Sequence, residues 1–400
     1  MSDNNPTFDI VIAGGGLSGL LMAQSLANLT TNDGKPLSIA IVEATATNTD
    51  ISLTFDDRVL ALAHGTASYL DGLGAWQALK SDATAISHIH ISDRGHYGKA
   101  RIDAKEHQVD ALGYVIEMSL IGQALYKLVI EHQHIQWFCP DSIEQIEWQQ
   151  SQVNITLSSN QQISASLLLA CDGGQSVCRQ KAGINKHFSD YQQSAVIANV
   201  KTEHAHNEVA FERFTETGPI AMLPLSQGRC SLVWSLTPEQ AEETMQLSEQ
   251  EFAKKLNQDF GNWLGKITEV GQRFCYPLVL VQAEQQVYHR MALVGNASHT
   301  IHPIAGQGFN LGVRDVQLLA KLIEQALSQD KPIGQFALLA EYEQQRLIDQ
   351  NQVITLTDSL VTLFSNDLMP IIAGRNIGLK VMNYCSSLQQ RFVEKTMGYR

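Results

Sequence analysis

A β-rich run that stops on three glycines constrains this chain more than any other feature. Phe8, Asp9, Ile10, Val11, Ile12 and Ala13 lead into Gly14-Gly15-Gly16-Leu17-Ser18-Gly19, and residues 20–29 then carry helical apolar spacing. In such a strand, turn and helix, Gly14 allows the bend, Gly16 lets backbone approach a pyrophosphate, and Gly19 lets helix pack on strand. The free N–H groups and positive dipole at the helix start favour an anion. Residues 37–42 supply a second strand that ends at Glu43, a side chain able to accept both ribose hydroxyls of an adenosine. The β-α-β unit feeds a parallel sheet and suits NAD or FAD equally.

A second stretch decides for FAD. Ala292-Leu293-Val294 reads as a buried strand ending in Gly295-Asn296, followed by His302-Pro303-Ile304-Ala305-Gly306-Gln307-Gly308-Phe309-Asn310 at the entry to another helix. Asn296 offers a bond to ribityl hydroxyls. The N–H groups of residues 306–310 offer a positive pole beside a pyrimidine ring, which stabilises negative charge there. Pro303 lacks an N–H and stiffens the loop. A third stretch, Leu169-Ala170-Cys171-Asp172-Gly173-Gly174, is a strand running into an acidic turn. Asp172 is a candidate for a backbone or cofactor contact, and Arg179 beyond it for phosphate or ribose.

Together with Asp57-Arg58-Val59-Leu60-Ala61-Leu62, these stretches resemble the single-component FAD aromatic hydroxylases typified by 4-hydroxybenzoate hydroxylase. The run from Ala305 to Asp315 resembles their ubiquinone-biosynthesis branch. Gly113-Tyr114-Val115-Ile116-Glu117 and the tail Gln390-Arg391-Phe392-Val393-Glu394-Lys395-Thr396-Met397-Gly398 are most like 2-polyprenyl-6-methoxyphenol hydroxylases. Where that branch commonly has Gly-Asp, this chain has Gly295-Asn296, which keeps an acceptor and removes a charge.

The resemblance implies an enzyme that binds FAD tightly without a covalent bond and uses NAD(P)H and O2 as co-substrates. It implies hydride transfer to FAD, a flavin hydroperoxide, and attack on the phenol ring para to its hydroxyl-bearing carbon, with no Rossmann unit for the nicotinamide. Arg58 is expected near the flavin or its phosphates and Gln123 against FAD, both carried over from matching family positions. His302 and Pro303 are the candidate catalytic residues, His302 because a free imidazole titrates near neutral pH. No metal site is expected: His299 and His302 have no companion carboxylate pattern. A sister enzyme acting at another ring carbon shares every flavin motif, and a non-catalytic prenyl-binding carrier on the same fold is the alternative of another class.

The expected fold class is α/β: a discontinuous Rossmann-like FAD domain with a parallel sheet (1–85, 104–185 and 276–334), an antiparallel-sheet substrate domain (86–103 and 186–275), and a helical C-terminal region (335–400). The substrate domain rests on the alternation in Ile86-Ser87-His88-Ile89-His90-Ile91 and in residues 218–225 and 230–236. His88 and His90 are expected at solvated positions. The formal net charge of -13 argues against nucleic acid. Residues 1–9 lack a signal-peptide pattern, the six cysteines show no disulfide rhythm, and no apolar run reaches the length of a membrane span. A cytoplasmic protein is expected, peripheral to the inner face of the membrane. The expected partners are a polyprenylated phenol and a ubiquinone-biosynthesis protein complex, with the apolar patches in 356–363, 368–372 and 377–382 packing on the body or offering a membrane or prenyl contact.

Overall fold

A computed structural model describes residues 5–46, 58–366, 368–385, 389–390, 393 and 397–398. The chain forms an α/β fold with one mainly parallel sheet, one mainly antiparallel sheet and a helical C-terminal region.

The parallel sheet is built around the strand Thr7–Ala13. It is flanked by Gln162–Ala170 and Ile39–Val42, with Met291–Leu293 and Ile135–Phe138 outside them, all pairing in parallel. Ile10, Val11 and Ile12 are fully buried because both faces of this strand are covered. Ile10 and Ile12 pack with the helices Leu17–Leu26, Met118–Val129 and Gln307–Ser328, while Val11 packs with Val153, Ile155 and Leu168 on the other face. Such two-sided burial produces a continuous apolar run rather than alternation.

Among the described residues the second sheet has nine strands. Lys186–Thr202 pairs with Arg229–Leu236 on one side and Phe274–Ala283 on the other, and Gly218–Leu225 and Val209–Thr215 lead outward to His88–Asp93 and Lys99–Asp103. The segment 88–103 thus joins the second sheet. So does Phe274–Ala283, which pairs with residues 186–197 along its whole length and in turn with the short strand His299–Thr300, so this sheet runs past residue 275.

One face of this sheet carries Val196, Ala198, Leu232 and Trp234 against Phe252, Leu256 and Phe260 of the helix Glu249–Phe260. These three residues are spaced four apart on one side of the helix, whose start is fixed by the reciprocal Ser248–Glu251 capping box. His90 lies on this face, buried between the Phe211 and Trp263 rings instead of in solvent. The opposite face looks toward the strand Val59–Ala63 and the loop around Ile304.

The helices Phe336–Phe364 and Met369–Tyr384 close the molecule. Phe364 stacks on Phe214 with centroids 3.7 Å apart, and Arg375 and Asn376 bind Asp93 at 2.8 and 2.9 Å. Packing on the body therefore accounts for one side of this region. Leu368, Met369, Ile377 and Tyr384 remain exposed. No helix among the described residues is long and apolar enough to cross a membrane.

Candidate active site

The first glycine turn is held by sterics and by one carboxylate. Gly14 has φ +96°, a conformation strained for any residue with a Cβ. A Cβ on Gly19 would lie 1.9 Å from the Gly14 carbonyl oxygen, so helix and strand touch at this point. A Cβ on Gly16 would meet nothing within 4 Å, leaving open space above the helix start. Glu43 accepts the Gly15 N–H at 2.6 Å and the Thr45 N–H at 2.8 Å, placing its carboxylate over the turn. Trp137 sits beside it with a buried indole N–H that has no partner, a neighbour fixed by strand register and invisible in the local sequence.

The three glycine-bearing stretches converge. Ser18, on the first helix, lies against Gly295, where a Cβ would approach its hydroxyl to 2.7 Å. Arg179 donates to the carbonyls of Ala297 at 2.8 Å and Gly174 at 3.0 Å, tying the Asp172 turn to the Gly295 turn. Two of its five N–H donors go to backbone, and the side chain is buried. Asp172 Oδ2 accepts the Cys178 N–H at 3.0 Å, whereas Oδ1 is buried without a partner. Asn296 projects an exposed side chain from the same turn.

The loop before the helix Gln307–Ser328 turns on Gly306, φ +61°, where a Cβ would come within 2.7 Å of Ala61 Cβ. Asn310 locks this loop to the strand 59–63. Its Oδ1 accepts from Ala63 N–H and Thr66 Oγ1, and its Nδ2 donates to the Ala61 and Gly306 carbonyls, all between 2.7 and 2.8 Å. The side chain thus has no valence left for a cofactor, and it is the backbone of the helix's first turn, at Gly308 and Phe309, that faces the open end of the helix.

His302 is fully buried. Its Nδ1 accepts the Ile304 N–H, so Nε2 carries the hydrogen and donates to Gln193 Oε1, both at 3.2 Å. Tyr191 packs edge-on against the ring at 5.1 Å, and its hydroxyl binds Asp358. Burial drives the His302 pKa down to about 4. A neutral imidazole with both nitrogens engaged holds the loop to the strand 186–202; it does not offer a free base. Pro303 stands next to it at the helix approach, half-buried.

Behind the loop lies a network that motif reading left without a role. Asp315 is fully buried and accepts four hydrogen bonds: from Gly295 N–H at 2.9 Å, His299 Nε2 at 2.8 Å, Arg346 Nε at 2.6 Å and Gln350 Nε2 at 3.2 Å. Burial pushes this carboxyl up, but the His299 and Arg346 charges and the hydrogen bonds outweigh it and hold the pKa at about 2. His299 and His302 thus serve different partners and do not converge on one ion.

Arg58 lines a cavity of about 290 Å³ with Val59, Ile197, Asn199, Arg229 and Ser231, its guanidinium 5.8 Å from the Tyr276 ring centroid. Asp56 and Asp57 lie outside the described residues, as do Arg391, Phe392 and residues 394–396 of the tail. Gln123 is half-buried on the helix Met118–Val129, which packs against the first helix.

A sequence profile of the FAD binding domain family matches residues 7–357. The chain belongs to this family. It is 33% identical to a ubiquinone hydroxylase, UbiL, of Rhodospirillum rubrum, across 98% of this chain and 89% of the relative. It is 29% identical to the 3-demethoxyubiquinol 3-hydroxylase of Escherichia coli across 99% of both. Its fold matches the crystal structure of p-nitrophenol 4-monooxygenase from Pseudomonas putida with a TM-score of 0.79 at 18% identity, covering 99% of each chain. The resemblance to FAD-dependent aromatic hydroxylases of the ubiquinone pathway therefore holds.

The geometry fits FAD. The open space at Gly16, the unpartnered Asp172 Oδ1, the exposed Asn296 and the helix start at Gly308 and Phe309 lie along the line of contact between the three glycine stretches.

Proposed function

We propose that this FAD-dependent hydroxylase adds oxygen to the ring of a polyprenylated phenol in ubiquinone biosynthesis, with 2-polyprenyl-6-methoxyphenol as substrate. The observation that carries the reading is the meeting of the His302–Asn310 loop with the inward face of the antiparallel sheet, through Ile304 and Phe214. A ring held there is walled by apolar side chains and shielded from water.

Bound FAD supplies electron transfer from NAD(P)H and activation of O2. The chain's own residues bind, orient and shield. Gly14, Gly16 and Gly19 with Glu43 take the adenosine and pyrophosphate end. Asp172, Gly295 and Asn296 take the middle of the cofactor. Gly306, Gly308, Phe309 and the backbone of Asn310 present the helix start to the ring system, beside Pro303. Arg58 and Gln123 flank it. In this reading the FAD domain comprises 1–85, 104–185 and 284–334, the substrate domain 86–103 and 186–283, and the C-terminal region 335–400. Exposed Leu368, Met369, Ile377 and Tyr384 support a peripheral contact with membrane or prenyl chain.

A sister reading, hydroxylation at another ring carbon, is favoured by the full-length likeness to the Escherichia coli 3-demethoxyubiquinol 3-hydroxylase. Deleting the gene and identifying the accumulated precursor by mass spectrometry separates the two. The first reading expects a prenylated methoxyphenol lacking the oxygen para to the hydroxyl; a precursor that already carries it refutes that reading.

A further inference from the structure

One buried carboxyl on the inward face of the antiparallel sheet has no task in the account above. Glu212 lies on the strand Val209–Thr215, opposite Ala221 on one neighbour and Ile91 on the other. Ala221 in turn pairs with Val233, and Val233 with Ile197, so these residues form one row across the sheet. Phe211, the adjacent residue on the strand, points to the far face and packs with Phe252 and Phe260. Glu212 therefore points the other way, along with Ala210 and Phe214. Phe214 shares a buried cluster with Ile304 of the flavin loop, and Ala210 packs with Val59 and Val115 behind it. The carboxyl sits between these two apolar clusters, on the side where the ring-binding loop approaches.

Its Oε1 has no accessible surface and no hydrogen-bond partner. The residue as a whole keeps intermediate exposure. Ile197, Asn199 and Ser231, on the same face, line the cavity that opens beside Arg58. A second orphan lies on this face: Ser235, on the next strand but one, has a buried hydroxyl without a partner. Unpaired buried polar groups cost roughly 1–3 kcal/mol each, so two on one apolar wall point to a polar ligand that pairs with them.

We propose that Glu212 is the residue that binds the phenolic hydroxyl of the substrate and takes its proton, with Ser235 as a further hydrogen-bonding group on the same wall. This rests on the phenol-hydroxylase reading. The phenol O–H bond breaks, a Glu212 O–H bond forms, and the electron pair stays on the phenol oxygen, enriching the ring at its para carbon. One atom of O2 adds to that carbon, with NAD(P)H as the reductant. The hydrogen bound to that carbon then leaves as a proton, completing the water formed from the second oxygen atom, while Glu212 returns its proton to the ring oxygen. The carboxyl ends each cycle as it began.

The surroundings suit such an exchange. Burial alone raises the Glu212 pKa to about 7. Charged groups on this side of the sheet are committed elsewhere. Asp93, one pair along, is held by Arg375; Glu117 is paired with Arg229 at 3.0 Å; Asp358 receives the Tyr191 hydroxyl. Arg58 lies at the cavity wall and carries a contact of its own.

The test uses the FAD-loaded full chain and its Glu212→Gln, Glu212→Asp and Ser235→Ala variants. Glu212→Gln keeps size but cannot take the proton and gives up the charge-assisted hydrogen bond to the phenol. It should hold wild-type flavin content and lose about 100-fold in hydroxylation of 2-farnesyl-6-methoxyphenol, within the range for a lost acid–base group. NAD(P)H oxidation should become uncoupled from product, and the pH dependence near neutrality should disappear. Glu212→Asp should recover part of the rate. A Glu212→Gln enzyme within twofold of wild type in rate, coupling and pH profile overturns the proposal. If the wild type leaves the prenylated phenol untouched, the substrate reading fails, and binding of 2-methoxyphenol then decides for Glu212. The perturbation of the flavin spectrum by that probe should weaken about tenfold in Glu212→Gln and in Ser235→Ala, and unchanged binding in Glu212→Gln overturns the proposal on that arm.

Discussion

Replacing Asp315 should unfasten the flavin loop from the C-terminal helix. The carboxylate joins the Gly295 turn and His299 to Arg346 and Gln350, two stretches of chain separate from its own helix. Its pKa is held at about 2 against an ordinary 3.8. At roughly 1.4 kcal/mol for each tenfold change in proton affinity, the ionised form contributes about 2–3 kcal/mol to the folded state. Because the folded pKa is depressed, that contribution is present above pH 3.8 and lost as pH falls toward 2.

Asp315→Ala goes further. It strands Arg346, which is 3% exposed, with Asp349 as its remaining acid partner among the described residues, and it frees the buried Gly295 N–H. Breaking a buried pair on one side costs about 3–5 kcal/mol, a large part of the roughly 5–15 kcal/mol that keeps a domain folded. Asp315→Asn keeps Oδ1 as an acceptor for Arg346 but turns an amide N–H toward both the Gly295 N–H and His299, which share Oδ2. It should lose about 2–3 kcal/mol. Urea unfolding at pH 7, followed by tryptophan fluorescence and flavin release in parallel, measures both. Flavin should leave at lower urea than global unfolding in Asp315→Asn, because Gly295 is anchored directly by this carboxylate. Midpoints for Asp315→Asn indistinguishable from wild type in both signals would refute the network's role.

Three further outcomes follow from the glycine turns and the buried histidine. Gly16→Val should fold with a wild-type melting temperature yet purify without flavin, since the space at Gly16 holds no protein atom; absorbance at the flavin band checks it, and full flavin content would displace the turn from the cofactor. Gly19→Ala should instead lower the melting temperature by several degrees even in apoprotein, because its methyl would overlap the Gly14 carbonyl; calorimetry distinguishes the two variants. The folded His302 pKa of about 4 lies below its ordinary 6.5, so the neutral ring stabilises the fold above pH 6.5 and that stability is lost as pH falls toward 4. His302→Phe should reduce the slope of stability against pH in this window by up to about 1.4 kcal/mol per pH unit, read by denaturant titration.

The parts of the fold and site that local sequence encodes were readable, and the parts that depend on register were not. The Thr7–Ala13 strand, the glycine turn and the helix after it carry their own signals: continuous apolar burial, φ above zero at Gly14, and a helix–strand contact that admits no Cβ at Gly19. The loop at residues 302–310 was legible as a helix entry for the same reason. Glu212 was not, because an acid inside an alternating strand reads as a solvent-facing position. Only the pairing of Val209–Thr215 with Gly218–Leu225 and His88–Asp93 turns it inward.

The helix Phe336–Phe364 shows the same limit more sharply. Apolar spacing identifies a helix there, yet its buried side carries Arg346, Asp349 and Gln350 beside Leu339, Tyr342 and Val353. A charge pattern of this kind reads as a solvated face when no partner is in view. Its meaning lies in Asp315, thirty-one residues upstream of Arg346. Burying both charges is favourable only because each supplies the other's missing hydrogen bonds at short range. A charge-neutral pair of apolar substitutions at Asp315 and Arg346 should therefore cost less stability than Asp315→Ala alone. The double variant Asp315→Leu, Arg346→Met measured in the same urea assay tests this, and a loss equal to or larger than that of Asp315→Ala would show that the network holds the flavin loop by geometry beyond the satisfaction of buried charge.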